Sequence, residues 1–283
     1  MNLPPTNTRS PIAAAQSRSP SVPQFTAVTR DRHADKAWRR HTSYAFAGGD
    51  AVLPLVAFEL THAVMTLPVA FVKQDGRYVL MAVLSLTPGR NLFVAPDGRW
   101  LGGYVPAVLR GYPFRLLRPE GSAESVLCVD EQSGLVVEAG QGEAFLTPEG
   151  VLGDGLTQVL DFLGQIERNR AATEAAVAAL AEADVIEPWP LTQGNGGATV
   201  PVIGLHRISE DRFNALDDET LLTLRRAGAL PIVYLQMLSM QQTTVLKRLA
   251  DLQEELARVE ATKAKMLDGT FGILSDQEFR LVF

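Results

Sequence analysis

The periodicity of this chain changes once, near residue 150, and that change limits what it can fold into. Before it, apolar residues come in short runs: PLVAFEL, LPVAFVKQDG, RYVLMAVLSL, NLFVAPDG, RWLGGYVP, FRLLRPEG, ESVLCVDE and GLVVEAG. Turn pairs separate them, at Asp75-Gly76, Pro88-Gly89, Asp97-Gly98, Glu120-Gly121 and Ser133-Gly134. Asp-Gly between apolar runs favours a tight hairpin turn. Strands recurring at about ten residues suit a meander that curls or closes into a barrel. After Asp154-Gly155, residues Leu156, Val159, Leu160, Leu163 and Ile166 fall on one face of a helix. The sequence therefore predicts an α+β fold. A mostly antiparallel, meander- or barrel-like β-domain covers residues 25–150, a helical region with a small hairpin covers 151–244, and an amphipathic helix and tail cover 245–283.

The remaining segments fit this frame. Residues 1–24 scatter Pro4, Pro5, Pro11, Pro20 and Pro23 among Ser, Thr, Asn and Arg, which predicts a disordered tail. Pro106 opens a helical turn or loop over Pro106–Gly111, since proline suits the first helical position. Pro188 and Pro190 stop the helix that starts near Leu156, and LTQGNGGATVPVIGLHRI reads as the small hairpin. Acidic caps at Ser209-Glu-Asp and Asp217-Asp-Glu precede short helices. A longer helix is expected from Pro231 to Leu267, about 55 Å at 1.5 Å per residue.

Composition excludes several classes. At 283 residues and 46% hydrophobic, the chain can build a packed core. A net charge of −6 argues against nucleic acid and against a polybasic membrane anchor. Nothing reaches the roughly 18–20 apolar residues of a spanning helix. The N-terminus lacks the apolar centre of a secretory signal. A cytoplasmic protein is the default, with export lacking an N-terminal signal peptide left open. The single cysteine, Cys128, excludes a disulfide framework and reads as a small buried hydrophobe in a strand.

No catalytic motif emerges, and no cofactor is expected. His33-Ala-Asp35 has the spacing of two ligands of a non-haem iron triad, with His62 or His206 as a distal third. Because His33 precedes the first clear strand, a solvated or capping role is preferred and no metal site is assigned. Glu59 and His62 read as a surface pair at a strand end. The glycine-rich 193–197 stretch lacks the residues of a phosphate loop and reads as a turn.

The densest cluster is Trp100, Tyr104, Arg110, Tyr112, Phe114 and Arg115. Arginine among aromatics suits a planar or anionic ligand, or a protein partner. The competing reading is a β-core filled by the aromatics, with Arg110 paired to an acid. The binding candidates are Trp100, Tyr104, Arg110, Tyr112 and Arg115. In the long helix, Val245, Leu249, Leu252, Leu256, Val259, Lys263 and Met266 alternate by four and three, the seam of a coiled coil with one lysine in it. The six apolar members are the candidate oligomerisation residues. They pair with a copy of the chain or another protein, or they pack on their own domain.

Two dense blocks, YAFAGGDAVLPLVAFEL and NLFVAPDGRWLGGYVPAVLRGYPF, make the chain resemble the bacterial SapC family. Further matching strings are Leu67-Pro-Val-Ala-Phe71, Gly204-Leu-His-Arg-Ile-Ser-Glu-Asp-Arg-Phe213, Gly228-Ala-Leu230 and Tyr234-Leu-Gln-Met-Leu-Ser239. The resemblance spans residues 25–248, and the family name implies association with surface layers. It carries no catalytic residues across. A structural or interaction protein is the favoured reading. The alternative is a small-molecule-binding or metal-dependent accessory enzyme built on the aromatic–arginine block.

Overall fold

In a computed structural model, residues 24–275 are described except 120, 123, 196 and 197. The predicted tail thus lies outside the described residues, save Gln24. β1 (Phe25–Ala27), the single-turn helix α1 (Arg30–His33), β2 (Lys36–Trp38), β3 (Val52–Pro54) and α2 (Leu60–Ala63) come first. The hairpin β4 (Val69–Gln74)–β5 (Arg77–Val83), α3 (Ala107–Arg110), β6 (Phe114–Leu117), β7 (Val126–Asp130), β8 (Val136–Glu138) and β9 (Glu143–Ala144) follow. The long helix α4 (Asp154–Glu182) leads to β10 (Ile186–Pro188), β11 (Thr192–Asn195), β12 (Ala198–Pro201) and β13 (Leu205–Ile208). The chain closes with α5 (Glu210–Asn214), α6 (Asp218–Arg226), α7 (Leu230–Ser239) and α8 (Thr243–Ser275).

The α+β reading holds, with antiparallel sheets followed by helices. The β4–β5 turn forms as its Asp-Gly pair demands, with Asp75 and Gly76 both at positive φ, 48° and 80°. The sheets do not close into a barrel. One has the order β10-β13-β4-β5-β3, one β1-β7-β6, one β8-β2-β9, and β11-β12 stand as a pair. β3 is three residues long before the chain turns into a 3-10 turn at Ala57–Glu59, so it leaves an edge rather than a seam. The five-stranded sheet draws strands from both sides of residue 150, because β13 pairs with β4.

Three of the runs read as strands are not strands: PLVAFEL leaves β3 after Pro54 for the 3-10 turn and α2, and the other two lie between β5 and α3. NLFVAPDG and RWLGGYVP meet only in an isolated bridge, Val94 to Trp100. Side chains take over the backbone partners there. Asn91 accepts from the Phe93 amide at 2.9 Å and donates to the Ala47 carbonyl at 3.0 Å. Gln253 of α8 donates to the Leu92 and Val94 carbonyls at 2.9 and 2.8 Å. With those groups satisfied, no ladder is needed to bury Leu92 and Phe93.

The single helix expected over Pro231–Leu267 is broken into α7 and α8 by a 3-10 turn at Met240–Gln242. Ser239, Thr243 and Thr244 each donate a hydroxyl back to the preceding turn, to the carbonyls of Gln236, Met240 and Gln241. Such back-bonding bends helices. Buried Gln236 joins α7 to the sheet: its amide donates to the Val69 carbonyl and its oxygen accepts from the Ile208 amide, each at 3.0 Å.

Two hydrophobic cores result. The larger lies on the five-stranded sheet around Phe71, Leu80, Phe93, Ile208 and Ile232. The smaller gathers Trp38, Phe114, Val129 and Phe145. α4 serves both, giving Leu156 and Leu163 to the smaller core and Ala176, Val177 and Leu180 to the larger.

Candidate functional site

The aromatic–arginine block is built on a buried carboxyl that the sequence placed at the surface. Glu59 is only 2% exposed. One oxygen accepts from the Val56 amide at 3.0 Å. The other accepts from the Ala107 amide at 2.7 Å and the Tyr104 hydroxyl at 2.8 Å. Glu59 therefore caps its own 3-10 turn and anchors the start of α3. Burial, then the Glu59 carboxyl, pushes the Tyr104 phenol far above its ordinary value. His62, the supposed partner of Glu59, instead lies flat against Tyr104, with ring centres 6.0 Å apart.

The aromatics form a connected row. Phe93 stacks on Trp100 at 5.4 Å, Trp100 meets Tyr44 at 5.6 Å, Tyr44 meets Phe46, and Phe46 stacks on Tyr112 at 3.8 Å and 13°. His41 sets its edge against Tyr44, Phe46 and Tyr112. Trp100 donates to the Tyr104 carbonyl at 2.8 Å, and Tyr112 donates to buried Asp130 at 2.9 Å. Arg110 is exposed. Its guanidinium lies over the Tyr104 and Phe162 rings, 5.7 and 5.1 Å from their centres, and donates to the Tyr104 hydroxyl at 3.3 Å. Among the described residues it makes no ion pair, so the expected acidic neighbour is replaced by two rings.

Next to this block, a cleft of about 610 Å³ runs between the two cores, within the size range of ligand pockets. The middle of α4 lines it with Leu163, Ile166, Glu167, Arg170, Thr173 and Glu174. The other walls are residues 52–56, 78–81 and 114–117, with Asp50 at the rim. The cleft walls push the Asp50 carboxyl up, and the nearby Arg115 guanidinium pulls it back. Thr173 is buried; its hydroxyl accepts from the Ala57 amide at 2.8 Å and donates to the Asn169 carbonyl at 2.7 Å. Of the five binding candidates only Arg115 lines the cleft. Trp100, Tyr104, Arg110 and Tyr112 belong to the aromatic row, and Glu59 touches both.

His33 and Asp35 are not brought together as ligands. Asp35 is exposed, whereas His33 is 1% exposed and packs on Phe145, so of the expected solvated or capping roles the solvated one is corrected. Its Nδ1 sits beside the backbone of Thr29, and its Nε2 lies 3.4 Å from Glu131, within ion-pair reach but outside hydrogen-bond geometry. Glu131 in turn accepts a forked pair from Arg32 at 3.0 and 2.7 Å, which holds its carboxyl below the usual range. Among the described residues no group of three potential ligands could hold a metal ion.

The heptad positions divide along α8. Leu249 is buried and Val245 half-buried against the larger core. Leu252 is 39% and Val259 46% exposed, with Leu256 between. The Met266 side chain lies outside the described residues. No helix among the described residues is long and apolar enough to cross a membrane.

The geometry defines an α+β protein with two cores, a cleft between them and a long helix leaving the larger one. A family model described as SapC matches residues 28–246, so the chain belongs to the SapC family. No curated protein and no solved structure matches it.

Proposed function

We propose that this SapC-family chain is an interaction protein that pairs with a second copy of itself through α8. The observation that carries this reading is the course of the helix. Gln253 fastens α8 to the body, and every described side chain past it is exposed except half-buried Leu256. The 22 residues from 254 to 275 extend about 33 Å. Along them the four-and-three spacing continues through Leu256, Val259, Lys263 and Met266, and Leu252, 39% exposed, precedes them on α8. A seam with this repeat is complementary to another helix of the same repeat, and the copy is the partner always at hand. A self-assembling protein also fits the surface-layer association that the family name implies.

The test is sedimentation velocity or light scattering on the full chain and on a Leu252→Glu, Val259→Glu double variant. The wild type should be a dimer and the variant a monomer that still unfolds cooperatively, at the temperature the wild type approaches on dilution, because neither residue is in a core. A monomeric wild type overturns the proposal.

A second reading is binding of a small planar or anionic molecule at Arg110. It rests on a guanidinium held over two rings and still open to solvent. Arg110→Ala should leave the melting temperature within about 1 °C of wild type while removing any shift produced by an anionic aromatic probe such as salicylate. Identical shifts in both proteins would end it.

A further inference from the structure

The cleft between the cores is walled by strand edges. Successive side chains of a strand point to opposite faces, so a wall made of consecutive residues is a strand seen from its side. Residues 114–117, 52–56 and 78–81 all line the cleft as consecutive runs. β6 and β3 are the terminal strands of their sheets, and β5 runs on past the short β3.

The ladder phase shows which backbone groups are free. The Asp130 amide donates to the Pro113 carbonyl, and Val28 takes the Leu127 carbonyl on the far side of β7. With Arg115 opposite Cys128 and Leu116 opposite Leu127, Leu116 turns both its amide and its carbonyl away from β7. On the other wall the Leu55 amide donates to the Leu80 carbonyl, so alternate residues of β5 face β3's side. Tyr78 is one of these and lies beyond the end of β3. Pro54, which has no amide to offer, sits on β3 where the amide would point outward.

We propose that this cleft binds an extended segment of another protein, added as a strand along β6 and β5, carrying a basic side chain for Glu174. Leu116 on one edge and Tyr78 on the other each turn an amide and a carbonyl outward, a pairing that another extended backbone complements. Leu116 and Ile166, both half-buried, give apolar seats for alternate side chains. The charge argument is local. Four carboxyls, Asp50, Glu59, Glu167 and Glu174, line the cleft with two guanidiniums, Arg115 and Arg170. Glu167 is paired with Arg170, Asp50 lies near Arg115, and Glu59 is hydrogen-bonded. Glu174 is exposed and, among the described residues, has no cationic partner. This surface is separate from α8 and does not depend on self-association.

The probe is an acetylated, amidated seven-residue peptide alternating valine and threonine, with a central lysine, tested by calorimetry and amide hydrogen exchange. Binding should slow exchange at the Leu116 and Tyr78 amides. Leu116→Pro removes an outward amide without touching the β6–β7 ladder, and should weaken binding about tenfold. Glu174→Gln, on an exposed helix position, should weaken binding of the lysine peptide about threefold and leave a glutamine-for-lysine peptide unaffected. If Leu116→Pro proves unfolded, the exchange result on the wild type and the Glu174→Gln comparison decide. Absence of binding at millimolar peptide, or binding without protection of both amides, overturns the proposal. So does lysine-peptide affinity unchanged by Glu174→Gln.

Discussion

Glu59 shows how one buried group can organise what a sequence presents as separate blocks. It lies in the first family-like string, and the groups it holds, Tyr104 and the Ala107 amide, lie in the second. Truncating it leaves three donors without their acceptor, and buried donors without partners cost about 1–3 kcal/mol each. Glu59→Ala should therefore lower unfolding free energy by about 3 kcal/mol, read from the urea midpoint at constant slope. A change under about 0.5 kcal/mol would mean that water replaces the carboxyl. Glu131 gives a residue-scale test with a pH signature. Its folded pKa is depressed, chiefly by the Arg32 hydrogen bond, so its contribution is present above the unfolded value, about 4.3. It is lost as pH falls through the lower, folded value. Glu131→Gln should thus destabilise at pH 7, by no more than about 1 kcal/mol for so open a pair, and the difference should shrink steadily in melts taken at pH values below the unfolded value. Neither role was legible from neighbours in sequence. Glu59 looked like a strand-end residue because its acceptor geometry depends on Ala107, 48 positions away.

At the scale of elements, the sequence was informative where a local rule decides and silent where a side chain replaces a ladder. The Asp75-Gly76 hairpin, α3 after Pro106, Cys128 in a strand and the helical face from Leu156 all follow from local spacing or turn chemistry. The strands read into NLFVAPDG and RWLGGYVP fail because Asn91 and Gln253 supply partners from outside any sheet. The cleft was equally hidden, since the edges of β3, β5 and β6 become walls only when α4 is laid beside them. Thr173 is the fastening between that helix and the 3-10 turn at Ala57–Glu59. Thr173→Val keeps the shape but leaves the Ala57 amide unpaired, so it should cost about 1–3 kcal/mol in chemical denaturation. A neutral Thr173→Val would show that the helix is held there by apolar packing alone.

For the molecule as a whole, α4 has a consequence for how the protein comes apart. A boundary near residue 150 would let each side melt at its own temperature, as loosely joined domains do. Here one continuous helix carries Leu156 and Leu163 into one core and Val177 and Leu180 into the other, while β13 pairs with β4 inside a single sheet. Neither core can be exposed without fraying the helix that finishes its neighbour. Heating should give one calorimetric transition, with the calorimetric enthalpy matching the van't Hoff value when the concentration dependence of any dimer is included. Tryptophan emission, which samples Trp38 in the smaller core and Trp189 in the larger, should trace the same curve as the far-ultraviolet signal. Two resolved transitions would mean that α4 breaks in its middle, at the stretch that lines the cleft. A segment seated in that cleft would touch both cores at once, and so would raise the temperature at which the entire chain lets go.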